Sequence, residues 1–156
     1  MTALLWFSAI GCGLMAGLYF AFSTFIMGAL GKIDSASGIR AMQAINQVIQ
    51  RSLFIVLFFG TTLIAAALSV MALMSPEAPL RAALVAGGFV YLLGMFGCTV
   101  AFNVPLNNAL DAHDASSPEG ARFWQTYLAR WTRWNHVRTV ASTVSCACYI
   151  GALAAS

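Results

Sequence analysis

Four long apolar stretches constrain the fold of this chain more than any other feature of its sequence. They cover roughly residues 3–30, 53–74, 82–102 and 137–155. Each reaches or approaches the ~20 residues that an α-helix needs to cross the hydrocarbon core of a membrane. Of the 156 residues, 60% are hydrophobic and only 8% are charged, which is typical of an integral membrane protein. We therefore predict a single membrane domain, residues 1–156, folded as an all-α four-helix bundle.

The charges between the apolar stretches predict how the spans are oriented. The first and third connections are basic, whereas the second contains Arg81 opposed by Glu77. The basic residues of the first and third connections are Lys32, Arg40, Arg51, Arg122, Arg130 and Arg133. By the positive-inside rule, these connections are cytoplasmic and both termini lie outside, which places the protein in the inner (plasma) membrane. The first stretch lacks a basic leader and is too long for a signal peptide, so we expect a retained span.

The connections also carry local structural signals. Between the first two spans, residues 35–50 alternate apolar and amide side chains at helical spacing, which predicts a short amphipathic helix at the interface. Residues 75–79 predict a tight polar turn, and residues 111–120 predict a flexible, solvated connection that includes His113. The Gly13-x-x-x-Gly17 pair allows close helix packing, either within one bundle or between copies, so a homo-oligomer stays an open alternative.

The charge and cysteine content exclude several classes of function. The net charge of +3 is explained by span orientation and by contact with anionic membrane lipid, so we expect no nucleic-acid partner. The four cysteines all fall inside apolar stretches, where a thiol packs well. No histidines cluster at metal-ligand spacing, and we therefore expect neither a metal nor a cofactor.

The fourth span is preceded without a break by polar and aromatic residues, which predicts a helix with a cytoplasmic extension. At ~100° per residue, Trp131, Asn135 and Arg138 share one face. His136 points to a different sector. Because a charge inside a bilayer is costly, Arg138 marks a functional site by default. The alternative is that the tryptophans form an interfacial belt and that Arg138 reaches the headgroups. We favour the site because Ser142 also lies on this face.

A second polar group ends the third span. Asn103 and Asn107 are four residues apart and share a face if the helix continues past Pro105, which removes one backbone donor. Helix termination is the alternative explanation for these asparagines. The predicted topology places them at the membrane depth of Asn135 and Arg138.

Gln43 and Asn46 of the interfacial helix bring further amides to the same end of the bundle. No acidic residue lies in any span, so the expected partners of Arg138 are amides, water or an anionic ligand. The lack of an intramembrane acid also argues against a proton-coupled transporter.

Three segments together resemble the DUF1772, or anthrone oxygenase-like, family of small four-span membrane proteins. They are residues 38–46, 103–108 and 131–139. The resemblance covers essentially the whole chain, with one departure at Gly28, where we expect proline. It implies oxygenation of an anthrone, an electron-rich tricyclic polyketide, to the quinone without a conventional metal or flavin.

The chemistry that the resemblance implies requires few protein groups. A deprotonated anthrone is a delocalised anion that can give an electron to O2, so a base, an apolar slot and stabilisation of negative charge suffice. The predicted catalytic residues are His136 as the base, Arg138 and Asn135. The predicted residues that bind the lipophilic aromatic substrate are Asn103, Asn107, Trp131, Tyr19, Tyr91, Gln43 and Asn46.

Two other functions are consistent with the same residues. The first is a non-catalytic protein that binds a quinone, a lipid or a partner helix in the same cleft. The second is a metal or haem protein that uses His136 together with Met42.

Overall fold

The computed structural model describes residues 1–75 and 80–155, and within them the chain forms five helices and no strand. They are α1 (Thr2–Leu30), α2 (Ser35–Ile49), α3 (Leu53–Met74), α4 (Arg81–Asp111) and α5 (Pro118–Ala154). All except α2 are long and apolar enough to cross a membrane. The predicted all-helical bundle with four spans is confirmed. Of the polar turn predicted at residues 75–79, residues 76–79 lie outside the described part of the chain.

Side-chain caps explain where three of the helices begin. Asp34 precedes α2 and accepts a 2.9 Å hydrogen bond from the backbone N–H of Ser37, which lowers the pKa of the Asp34 carboxyl group. Ser52 precedes α3, and Ser117 precedes α5, where Pro118 occupies the first turn. Each cap satisfies a backbone donor that has no partner inside the helix. Because α5 begins at Pro118, the connection before it is shorter than the sequence predicts.

Helix α4 continues through Pro105 to Asp111, well beyond the predicted end of the third span at residue 102. Two π-helical segments, Tyr91–Gly97 and Thr99–Asn103, precede the proline. Such wider turns disrupt the regular hydrogen-bond ladder and often occur at functional sites. Pro105 has no backbone N–H to donate, yet α4 continues past it. Asn103 and Asn107 therefore lie on the same helix.

The bundle is held together mainly by α5, which packs along α1 and against α4. Gly94 of α4 faces Ala141 of α5, and Gly87 faces Cys148 and Tyr149, so both glycines lie at close helix contacts. Gly17 is exposed, however, and a Cβ added there would meet no atom within 4 Å, so it forms no helix contact within this chain. Large apolar side chains such as Leu93 are exposed on the outside of the bundle, as expected for a surface in contact with lipid.

Helix α2 lies across one end of the bundle, which we call the α2 end. Ile39 and Met42 are fully buried there against Leu110, Trp124 and neighbouring side chains. Gly38 permits this contact, since a Cβ at that position would lie 2.8 Å from the indole of Trp124. The amphipathic helix predicted from the sequence is therefore a packed part of the bundle.

Candidate functional site

A cavity of about 390 Å³ lies at the α2 end, between the spans and α2. Its walls are mostly apolar and aromatic, and all five helices contribute to them. Among the lining residues are Leu18, Tyr19, Phe22, Met42, Ile45, Asn46, Ile49, Phe54, Phe58, Phe96, Thr99, Asn107, Trp131 and Arg138. The exposed lining residues include Phe59 of α3 and Val100 and Val104 of α4. The cavity therefore opens sideways between α3 and α4 through exposed apolar side chains, and its margin at the α2 end carries the exposed polar side chains of Gln50 and Asn108.

Arg138 provides the positive charge of this cavity. Its side chain is 5% exposed, and Nη2 donates a 2.7 Å hydrogen bond to Oδ1 of Asn135. The guanidinium carbon lies 4.4 Å from the ring centroid of Tyr19 and 4.9 Å from that of Trp131, within the range of cation–π attraction. Nε makes no hydrogen bond within the described part of the chain. The guanidinium has five N–H donors, so several are left for a ligand or water besides the one that is bonded to Asn135.

No carboxylate among the described residues forms an ion pair with Arg138. The ion pair found in that part of the chain joins the exposed residues Arg122 and Glu119. A buried cation held by an amide and two ring faces keeps its net charge, because these partners are neutral. The electrostatics of the cavity therefore favour a negatively charged or strongly polarised ligand.

Asn135 holds the guanidinium in place from behind the cavity wall. Its Nδ2 donates to the backbone oxygen of Tyr19 at 2.7 Å and to Oγ of Ser23 at 2.8 Å, both on α1. These two bonds determine the orientation of the Asn135 side-chain amide. Its Oδ1 therefore faces Arg138 and accepts the hydrogen bond from the guanidinium. Asn135 does not line the cavity itself and acts on its contents through Arg138.

Asn107 is oriented in a similar way on the opposite wall. Its Oδ1 accepts from the hydroxyl of Tyr127 at 2.9 Å and from Nε1 of Trp131 at 2.8 Å. Both hydrogen bonds use the amide oxygen, so the NH2 group of Asn107 is left to donate to a ligand. Asn46 of α2 also lines the cavity, and its Nδ2 has no hydrogen-bond acceptor of standard geometry within the described residues. Amide donors from α2 and α4 thus join the guanidinium from α5.

Three predicted binding residues lie outside the cavity. Asn103 donates from Nδ2 to the backbone oxygen of Trp131 at 3.3 Å and so joins α4 to α5. Gln43 donates from Nε2 to the backbone oxygens of Leu110 and His113, which fastens α2 to the end of α4. Tyr91 is fully buried deeper in the bundle and does not line the cavity. These side chains support the walls rather than form them.

His136 is also separated from Arg138. The two residues are two positions apart, so their side chains point in nearly opposite directions around the helix. His136 is exposed and lines a different surface, formed by α1 and α5. His136 does not line the cavity, whereas Met42 does, so the two side chains are not neighbours. In the described part of the chain, no three His, Cys, Asp or Glu side chains are grouped closely enough to hold a metal ion.

The expectation that His113 is merely solvated is wrong. Its ring stacks on Phe123 with a centroid distance of 4.6 Å and an interplanar angle of 3°. Nδ1 lies 2.7 Å from the backbone oxygen of Ala109. The histidine is part of the packed junction between α4, α2 and α5.

Sequence reasoning missed the aromatic wall that α3 contributes. Phe54 and Phe58 stack with their ring centroids 5.7 Å apart, and Phe58 lies 5.5 Å from Phe96 of α4. A spacing of four residues places Phe54 and Phe58 on one helix face. That spacing is the signal in the sequence that could have indicated the aromatic wall. It does not distinguish a residue that lines a cavity from one that contacts lipid.

A sequence model of the anthrone oxygenase family matches residues 53–148, which is more than half of the chain. The chain belongs to the anthrone oxygenase family. No curated protein and no solved structure matches it.

The region matched by the anthrone oxygenase family begins with α3 and ends within α5. It contains Asn107, Trp131, Asn135 and Arg138. The cavity is completed by α1 and α2, which precede the matched region and supply Tyr19 and other walls. In this member of the anthrone oxygenase family, Arg138 and Asn107 thus lie within the matched region, whereas Asn46 and part of the apolar enclosure lie outside it.

Proposed function

We propose that this protein is a membrane-embedded oxygenase that oxidises a lipophilic aromatic substrate, anthrone-like or hydroquinone-like, with O2. The observation that carries the proposal is the buried guanidinium of Arg138 in an apolar, aromatic cavity without a paired carboxylate among the described residues. Membership of the anthrone oxygenase family supports the same reaction class. The substrate and the mechanism are our inference from this site.

The central step is formation of a substrate anion. Removal of a proton from the CH2 group of an anthrone leaves a delocalised anion whose charge is concentrated on oxygen. A fixed cation in a site of low dielectric stabilises developing negative charge far more than it would in water. Arg138 is already oriented by Asn135, so little reorganisation accompanies ionisation. We place the substrate oxygen beside the guanidinium of Arg138, with the NH2 group of Asn107 as a further donor.

The overall reaction balances without another reductant. The anion of an anthrone transfers electrons to O2, and its CH2 carbon becomes a carbonyl group. One oxygen atom of O2 enters the product, and the other leaves as water with the two hydrogens that the carbon loses. A hydroquinone would instead give two electrons and two protons to O2 and form a quinone and hydrogen peroxide. The protein supplies orientation and charge stabilisation, while substrate and O2 supply all the electrons.

The cavity suits a flat aromatic molecule. Its volume of about 390 Å³ falls in the range of small-molecule sites, roughly 300–1,000 Å³. Tyr19 and Trp131 present ring surfaces beside the guanidinium, and Phe58 and Phe96 extend the apolar wall. The opening between α3 and α4 allows a lipid-soluble substrate to enter from the bilayer.

The position of His136 changes the proposed route of the proton. Because this side chain lies outside the cavity, we propose that water entering at the α2 end, beside the exposed side chains of Gln50 and Asn108, accepts the substrate proton. Stabilisation by Arg138 makes that transfer easier, since an adjacent positive charge lowers the pKa of an acid. The hypothesis that His136 is the base then requires a different substrate position or an intervening water chain.

Turnover by the purified protein tests the proposal. The protein in lipid nanodiscs is supplied with anthrone, and O2 uptake and anthraquinone formation are compared with the rate in empty nanodiscs. Arg138→Met preserves the apolar stem and removes the charge, and Arg130→Gln removes an exposed charge of the same helix as the matched control. We expect Arg138→Met to lose activity and Arg130→Gln to retain it. Equal rates for wild type and Arg138→Met, with both proteins folded, would refute the mechanism.

A second candidate is a non-catalytic protein that holds a quinone or lipid in the same cavity. Its support is that Arg138 and Tyr19 are the titratable side chains among the cavity residues named above, so the site is better equipped for binding than for proton transfer. A quinone that binds with micromolar affinity, together with an O2 uptake no faster than that of empty nanodiscs, would favour this candidate.

We also propose that the α2 end faces the cytoplasm and that both termini lie outside the inner (plasma) membrane. The basic connections at the α2 end support this orientation. Alkaline phosphatase fused to the C terminus is expected to be active, since it matures outside the cytoplasm. An inactive phosphatase paired with a fluorescent C-terminal green fluorescent protein would reverse the orientation.

A further inference from the structure

A second concave surface lies on the other side of α5, between the last turns of α1 and the first half of α5. It is a groove of about 610 Å³. Small and apolar residues form much of its floor, namely Met27, Gly28, Gly31, Leu128 and Ala129, and the polar residues Ser23, Thr24, Gln125 and Thr132 also line it. A Cβ added at Gly28 would meet no atom within 4 Å, so the space above this glycine is open. The groove thus has open space over Gly28 beside apolar side chains, where a hydrocarbon chain could lie.

Basic side chains border this groove. Lys32 follows the end of α1 by two residues, and Arg133 and His136 project from α5 at a spacing of three residues. None of the residues that line the groove is acidic, and neither Lys32 nor Arg133 takes part in an ion pair within the described part of the chain. All three side chains are exposed. The groove therefore combines an apolar floor with a positively charged margin.

We propose that this groove binds one anionic phospholipid. The phosphate lies between Lys32 and Arg133, and one acyl chain runs along the floor over Gly28 towards His136. Ammonium and guanidinium groups are strong donors to phosphate oxygens, and guanidinium can donate two parallel bonds. Basic pockets at the ends of spans attract anionic lipids. This proposal does not depend on the oxygenase reaction, which takes place on the other side of α5.

Charge complementarity makes the lipid the favoured occupant over a partner helix. A helix that packs against this floor would bring its own apolar face but would leave two unpaired cations at its edge. A lipid supplies the negative charge and the apolar chain in one molecule. The expected selectivity is therefore for phosphatidylglycerol over phosphatidylcholine with the same acyl chains.

Native mass spectrometry of the full chain, titrated in detergent with each lipid, tests this site. We expect one phosphatidylglycerol to bind at least ten-fold more tightly than phosphatidylcholine. The double substitution Lys32→Gln with Arg133→Gln is expected to reduce phosphatidylglycerol binding at least ten-fold. The matched control is Arg51→Gln with Arg130→Gln, which removes two exposed cations outside the groove. An equal loss in the control pair would overturn the site, because it would reflect general attraction to negative charge.

A second pair of variants tests the acyl-chain channel without changing any charge. Gly28→Leu fills the floor, and we expect it to reduce phosphatidylglycerol binding several-fold. Gly17→Leu is the control, since Gly17 is also exposed on α1 and has the same open surroundings. Unchanged binding to Gly28→Leu would contradict the channel, as would equally tight binding of soluble glycerol phosphate. Thermal unfolding of each variant confirms that it is folded.

Discussion

Nη2 of Arg138 donates a 2.7 Å hydrogen bond to Oδ1 of Asn135, one turn earlier on α5. The same amide donates to the backbone of Tyr19 and to Ser23, so α1 determines where the guanidinium points. A neutral partner orients the charge without cancelling it. This relationship is the reason that a buried cation can serve an anionic ligand in the cavity.

Replacing the neutral partner with an acid should abolish this property. In Asn135→Asp, the new carboxylate pairs with Arg138 and neutralises the cavity, while the guanidinium itself is retained. We expect turnover of anthrone to fall about 10²–10³-fold, the usual effect of losing one preorganised electrostatic contact. Steady-state rates in nanodiscs measure this, with thermal unfolding to show that the variant is folded. Activity close to wild type would mean that the net charge of the cavity is unimportant.

Asn107 should contribute to both stability and binding. Asn107→Leu leaves the hydroxyl of Tyr127 and the indole N–H of Trp131 without their shared acceptor. An unsatisfied buried donor costs about 1–3 kcal/mol, so we expect a clear drop in the free energy of unfolding. The control Tyr127→Phe removes one donor and leaves the other paired, and it should cost only about 0.5–1.5 kcal/mol. Equal losses for the two variants would show that the bond to Trp131 contributes nothing.

Several buried hydroxyls deeper in the bundle should be dispensable. Oγ of Ser145 and the hydroxyl of Tyr149 are buried and make no hydrogen bond within the described part of the chain. Replacing an unpaired polar group with an apolar one of similar shape is neutral or stabilising. Ser145→Ala and Tyr149→Phe should therefore leave the melting temperature unchanged or raise it. A fall of several degrees in either variant would indicate that the hydroxyl is hydrogen-bonded to a buried water.

A substitution of His136 distinguishes proton transfer to water from proton transfer to this histidine. Its exposed position outside the cavity predicts that His136→Ala keeps the turnover and the pH–rate profile of the wild type. If His136 were the general base, the substitution would lower the rate about 10²–10⁴-fold. Rates measured between pH 5 and 9 therefore decide whether the histidine acts in catalysis.

Much of the fold follows from the sequence because the membrane restricts the possibilities. Apolar length gives the spans, and the periodicity of residues 35–50 gives α2. The relation between Asn135 and Arg138 also follows, since a spacing of three residues places them on one helix face.

The rest depends on how the helices are rotated against one another. Asn103 and Gln43 have the composition of site residues, yet both bond to backbone oxygens of neighbouring helices. Phe58 looks like a lipid-facing residue and instead forms a wall. His113 lies in a polar connection, but Phe123 in the first turns of α5 gives it a stacking partner. Such contacts are set by tertiary packing, which residue types and periodicity do not specify.

The most direct test of the central claim is the ionisation of a bound chromophore. A hydroxyanthraquinone, whose absorption spectrum changes when its phenol ionises, is titrated with acid and base while bound to the wild type and to Arg138→Met. We predict that the midpoint in the wild type lies about 1–3 pH units below that in the variant, because an adjacent guanidinium favours the anion. Identical midpoints for the ligand bound in the cavity of both proteins would contradict the claim that Arg138 stabilises a substrate anion.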